Sequence, residues 1–114
     1  MTPGRLRDLV YVAPSPIHGK GLYARARIAK GAHIGDYQGP EAKRNGSHVL
    51  WVYAEDGTAV GRRGMNALRY LNHSPEPLAE FDGFELYALR TIEPDEEITI
   101  DYNGGMEHAE GEGW

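Results

Sequence analysis

The chain has 114 residues, a length that suits one domain and leaves little room for a second. Hydrophobic residues at 40% and charged residues at 25% give the balance of a soluble globular protein, and a net charge of −5 argues against the basic face that broad phosphate-backbone binding needs. The absence of cysteine excludes disulfides, iron–sulfur clusters and cysteine-ligated zinc. The five histidines (His18, His33, His48, His73, His108) show no paired spacing suited to an ion, so no metal is expected.

No apolar run is long enough to span a bilayer, and the N-terminus lacks the apolar stretch of a secretory signal. The expectation is a soluble intracellular protein, cytoplasmic or nuclear, with no membrane partner and no direct nucleic-acid binding. The acidic balance permits a basic peptide as a partner.

Glycine and proline punctuate short apolar runs along the chain. Leu9 to Val12 reads as a strand closed by Pro14 and Pro16, and Leu22 to Ala26 as a second. Ala32 to Tyr37 reads as a third, between Gly31 and Gly39. Val49 to Tyr53 reads as a fourth, ending before the turn signal Asp56-Gly57. Met65 to Leu71 is the one helical pattern, and it is short. Glu85 to Leu89 and Glu97 to Tyr102 complete the set, separated by the Pro94-Asp95 turn. Many short strands at close spacing predict a mainly β fold without parallel βαβ units.

Three segments carry chemical interest. Gly19-Lys20-Gly21-Leu22-Tyr23-Ala24 lies just ahead of a strand, and its glycines let backbone approach a ligand closely. Ala24 stands in the third glycine's place of a dinucleotide fingerprint and no long helix follows, so a plain hairpin turn explains the segment equally well. Arg69-Tyr70-Leu71-Asn72-His73-Ser74-Pro75-Glu76-Pro77 offers several side-chain donors and acceptors on a path fixed by two prolines. A serine hydrolase is excluded there, because Ser74 and His73 are adjacent and no G-x-S-x-G elbow exists. Glu96-Glu97-Ile98-Thr99-Ile100-Asp101-Tyr102 alternates so that Ile98, Ile100 and Tyr102 share the core-facing side. The tyrosine hydroxyl there needs a partner.

Taken in order, these segments resemble the SET domain of protein-lysine methyltransferases, from about Val12 to Tyr102. Gly19 to Ala24 is similar to the family's N-terminal cofactor loop and continues into Ile28 to Gly39. Arg69 to Ser74 is similar to its R-F-I-N-H-S signature, and Glu96 to Tyr102 to its E-E-L-T-x-D-Y signature. The resemblance implies several small β-sheets with a C-terminal knot-like crossing, where the last segment threads beneath the loop near Asn72. It implies a single domain with a core at about residues 8–103 and a short tail at 104–114 in the place of a post-SET segment.

The resemblance also implies roles. The activity would be methyl transfer from S-adenosylmethionine to a lysine ε-amine of a protein substrate, a histone or another basic protein. Lys20, Gly21 and Leu22 would hold the cofactor's amino-acid end. Asn72 and the backbone of His73 would hold its amino group and adenine, and Tyr102 would be the catalytic tyrosine. Tyr37, Trp51, Tyr53, Tyr70 and Trp114 are candidate walls of the lysine channel.

Some positions depart from the family pattern. Pro75 and Leu78 replace a usual cysteine and asparagine, and Ile100 replaces an aromatic that sets methyl number in some members. No cysteine-rich segment follows Tyr102, and the insert between Gly39 and Trp51 is nearly missing. The layout is closest to the very small viral SET proteins, which act as homodimers, so a homodimer is expected. A SET-like module that binds without catalysing, and an unrelated small β-domain, are the alternatives.

Overall fold

The computed structural model describes residues 6–46 and 48–102. Leu6–Leu9 forms one helical turn, not anticipated from sequence, and runs into β1 (Val10–Pro14). There follow β2 (Lys20–Ala24), β3 (His33–Asp36), β4 (Glu41–Ala42), β5 (Val49–Tyr53) and β6 (Ala59–Arg63). After a 3₁₀ turn at Ala67–Tyr70 come β7 (Asn72–His73), β8 (Ala79–Asp82), β9 (Glu85–Ala88) and β10 (Glu97–Ile100). The strands form three small sheets, ordered β1-β2-β10-β7, β3-β9-β8 and β4-β6-β5. All six strand regions read from the sequence are present within a few residues, and β4, β6, β7 and β8 are additional.

The helical pattern at Met65 to Leu71 is realised only as the 3₁₀ turn. It buries Leu68 alone, and Asn66 at its start makes no side-chain cap bond, so little offsets the cost of nucleating an α-helix. The three sheets close on one core that includes Leu22, Ile34, Tyr37, Leu68, Leu86 and Ile98, each fully buried. No helix among the described residues is long and apolar enough to cross a membrane.

The β5–β6 hairpin is set by turn chemistry. Gly57 takes φ +89°, which a Cβ would disfavour, and the Asp56 carboxylate accepts from the Thr58 amide at 3.0 Å and its hydroxyl at 2.7 Å. Trp51 pairs across the hairpin with Gly61 and lies over it, so that a Cβ on Gly61 would meet the indole at 2.7 Å and the Ala42 carbonyl at 2.9 Å. Gly61→Val should therefore displace Trp51 and cost about 1–3 kcal/mol, read as a lowered denaturant midpoint. An unchanged midpoint would show that Trp51 is not packed there.

Candidate active site

β10 is the strand on which the site is built. It pairs antiparallel with β2 (Ile98 opposite Leu22) and parallel with β7 (Thr99 opposite Asn72, Ile100 opposite His73). Beyond β7 the loop continues over it: Ser74 N–H donates to the Ile100 carbonyl at 2.9 Å and Leu78 N–H to the Thr99 carbonyl at 3.2 Å. The C-terminal segment thus runs between β2 and the 72–78 loop, the crossing implied by the family resemblance. Ile98 and Ile100 are buried and Tyr102 packs against the same core, as the alternation predicts. Thr99 between them is also buried, at 5% exposure, so both faces of β10 are covered.

Tyr102 follows at once and is half-buried. Its hydroxyl donates to the Leu71 carbonyl at 2.8 Å, its N–H donates to His73 Nδ1 at 3.0 Å, and the two rings lie 5.2 Å apart. Because Nδ1 receives a backbone N–H, it presents a lone pair, which assigns the imidazole proton to Nε2. The 3.7 Å approach of Asp101 to the same Nδ1 is then proximity rather than an ion pair. Burial pushes the Tyr102 phenol far above its ordinary range. Tyr37 behaves alike. It is fully buried, its hydroxyl donates to the His48 carbonyl, and its ring meets Phe81 edge-on at 5.6 Å. Burial first, and then the neighbouring Tyr102, push its phenol up strongly. Both phenols are therefore neutral, Tyr37 within the core and Tyr102 packed against it.

Asn72 gathers the other half of the site. It is 2% exposed, and its Nδ2 faces three acceptors: the carbonyls of His18 and Lys20, each at 3.1 Å, and Glu97 Oε2 at 3.0 Å. The Ser15 hydroxyl reaches the same carboxylate at 2.9 and 2.7 Å, and accepts the Ile17 N–H at 3.0 Å. Gly21 is required by this approach, since a Cβ there would stand 2.3 Å from Glu97 Oε2 and 2.9 Å from the Ser15 Cβ. Lys20 is exposed and enters through its carbonyl, while Leu22 is core. Ser15 and Glu97 were not singled out from sequence. The only signal for Glu97 was its place in the E-E-L-T-like segment.

The channel candidates separate. Trp51 and the exposed Tyr53 line a cavity of about 510 Å³ together with Leu50, Phe81, Ile100 and Asp101. Trp51 is oriented by an Nε1–H bond to Asn45 Oδ1 at 3.2 Å. Tyr37 packs in the core beside Tyr102, and Tyr70 sits on the 3₁₀ turn, where its hydroxyl accepts from Arg69 at 2.9 Å. Trp114 and the tail lie outside the described residues. Among the described residues, His33, Asp36 and Glu85 alone bring three metal-type ligand atoms within 4.8 Å of one another, all on exposed side chains.

With this geometry in place, the chain can be set beside known proteins. A family model for the SET domain matches residues 19–103. The chain belongs to the SET-domain family. It is 31% identical to the histone-lysine N-methyltransferase MEDEA of Arabidopsis thaliana over 89% of this chain, and 32% identical to the histone-lysine N-methyltransferase ash1 of Drosophila melanogaster over 75% of it. It spans only 18% and 5% of those two relatives' lengths. Solved structures with the same fold include the methyltransferase domain of human PR domain-containing protein 2 (TM-score 0.67, 22% identity, covering 82% of this chain and 76% of that one). They also include that of human histone-lysine N-methyltransferase SETMAR (TM-score 0.73, 23% identity, covering 83% and 44%).

Proposed function

We propose that this chain is an S-adenosylmethionine-dependent methyltransferase acting on a lysine ε-amine in a basic protein, histones being the first substrates to test. The observation that carries the reading is that β10 both supplies Glu97 to the cluster around Asn72 and leads directly into the half-buried Tyr102. Through the His18 and Lys20 carbonyls Asn72 ties the glycine-containing loop to Glu97 on β10, and so shapes the loop that the family resemblance gives to the cofactor's amino-acid end. Lys20, Gly21, Leu22, Asn72 and His73 would hold the cofactor, which supplies an electrophilic methyl on a sulfonium for in-line transfer.

The chain's own residues then have two tasks. The first is to receive an uncharged amine. A free lysine titrates near ~10.4, so neutralising it at pH 7 costs roughly 4–5 kcal/mol. Apolar walls disfavour the charged form and lower that cost. Leu50, Trp51, Phe81 and Ile100 supply such walls in a cavity that reaches Asp101, the residue before Tyr102, and Glu80 and Asp101 give its lining an acidic character suited to a basic segment. The second task is alignment. With its proton committed to the Leu71 carbonyl, the Tyr102 oxygen serves as an acceptor that orients the amine and the methyl.

Raised phenol pKa values keep Tyr37 and Tyr102 neutral, so neither acts as the base. The sign follows: the transfer rate should rise with pH, about tenfold per unit between about pH 7 and 9, as substrate lysine loses its proton. A falling limb within that range would show a tyrosinate and refute the assignment. The direct test is transfer of labelled methyl from S-adenosylmethionine to a histone mixture and to lysine-rich peptides, with calorimetric titration of the cofactor beside it. Binding and transfer support the reading. Binding without transfer to any substrate would leave a SET-fold binding module instead. A homodimer completing the site is part of the same proposal, and sedimentation of the purified chain checks it.

A further inference from the structure

We infer that His33, Asp36 and Glu85 form a binding site for a divalent transition-metal ion, Zn²⁺ above all, on the exposed face of the β3-β9-β8 sheet. The inference stands apart from the cofactor reading, since these three strands form a sheet of their own. The trio offers one imidazole nitrogen and two carboxylate oxygens within 4.8 Å of one another. Zinc takes such a donor set at about 2.0–2.2 Å, and Mg²⁺, which prefers oxygen alone, does not. All three side chains are exposed and free to draw in around an ion.

The backbone leaves its regular path to assemble this set. Residues three apart on a strand point to opposite faces. Here the ladder shifts between His33 and Gly35, so that His33 stands opposite Tyr87 and Asp36 opposite Glu85. Two buried residues, Ile34 and Gly35, are set against Leu86 alone, and this bulge turns His33 and Asp36 onto one face. His33 Nε2 lies 2.8 Å from Asp36 Oδ1.

The carboxylates meanwhile face their own charge. Asp36 is opposite Glu85, and Glu85 is opposite Asp82, a like-charge register that destabilises a sheet. Among the described residues no Lys or Arg ion pair relieves any of the three. A bound dication would. The Tyr87 hydroxyl donates to Glu85 Oε1 at 2.6 Å and orients that carboxylate, the kind of outer hydrogen bond that metal-binding carboxylates carry. His33 and Asp36 also line a cleft of about 700 Å³ with Gly35, Gln38 and Asn66, which gives water room to complete the coordination. Histidine spacing could not reveal the site, because the bulge sets the His33–Asp36 approach and Glu85 arrives from another strand.

The test is calorimetric titration of Zn²⁺, and separately Mg²⁺, into the full chain stripped of metal with a chelator. His33→Ala, Glu85→Gln and Asp82→Asn are titrated beside it, with thermal melts confirming that each folds. The wild-type chain should take up one Zn²⁺ with a Kd of about 1–10 μM, and Mg²⁺ at least about 100-fold more weakly. Zinc should raise the melting temperature of the wild-type chain. His33→Ala and Glu85→Gln should each weaken zinc about tenfold or more, and Asp82→Asn, on the same face but outside the trio, no more than about threefold. Should His33→Ala fail to fold, Glu85→Gln carries the test. No zinc binding tighter than about 1 mM would overturn the inference. So would zinc binding that survives both His33→Ala and Glu85→Gln, which would place the ion elsewhere. Equal loss in Asp82→Asn, or equal affinity for Mg²⁺, would reduce the site to diffuse attraction by an acidic face and overturn it as well.

Discussion

Tyr102→Phe should cut methyl transfer at least about 100-fold while leaving cofactor affinity within about twofold, because it deletes one positioned polar atom and nothing else. The hydroxyl makes a hydrogen bond to the Leu71 carbonyl at 2.8 Å, so a stability loss of about 1 kcal/mol accompanies the change. The ring, stacked at an angle against His73, is retained, and with it the burial that holds the crossing closed. Single-turnover transfer with saturating cofactor is the measurement, with near-UV circular dichroism as the control for fold. Turnover within about threefold of wild type would remove Tyr102 from the chemistry and leave it a structural phenol.

Asn72→Ala acts on both fold and ligand. The side chain is almost fully buried and serves carbonyls 54 and 52 residues upstream and a carboxylate 25 residues downstream. Truncation leaves the Glu97 carboxylate and two carbonyls without that donor, a cost of about 2–4 kcal/mol at the usual penalty for buried acceptors. A domain of this size holds about 5–15 kcal/mol, so the variant stays folded and its ligand affinity can be measured. Affinity for S-adenosylmethionine should fall beyond about 30-fold, because the loop that would hold the cofactor loses the side chain that orders it. Retained affinity would mean that the amino group is held elsewhere. A fall in affinity with no fall in stability would mean that the Nδ2 contacts are weaker than their distances imply.

The legible parts of the fold are those written in local pattern. β5 is a continuous Val-Leu-Trp-Val-Tyr run, and β10 carries three β-branched residues in a row. What escaped has a physical reason in each case. β6 holds Gly61 at its centre, which weakens any strand signal and is explained by the indole and the Ala42 carbonyl that close on it. β7 has two residues and exists because β10 lies beside it. β8 does alternate, Ala79-Glu80-Phe81-Asp82, but stands directly after two prolines that mark a turn. At the site, Asn72 and Tyr102 stood out through their motifs. Ser15 did not, because its partner is 82 residues away and no local feature of Ser15-Pro16 announces it. Aromatic content alone could not sort the channel candidates. Trp51 and Tyr53 face a cavity while Tyr37 lies in the core, a difference set by which sheet each strand joins.

The enclosure of β10 has a consequence for biosynthesis. Its neighbours, Leu22 on one side and Asn72 on the other, are translated before it, and their strands are joined in the sheet only through it. A ribosome-bound chain can form the β1–β2 hairpin and the β5–β6 hairpin early, since both are local. The four-stranded sheet waits for its third member. Closing the topology and assembling the Asn72–Glu97 cluster therefore depend on the same strand. A chain stopped short of residue 97 would lack Glu97, Tyr102 and the strand that seats Asn72 together. Catalytic competence and complete synthesis would then be read by the same assay.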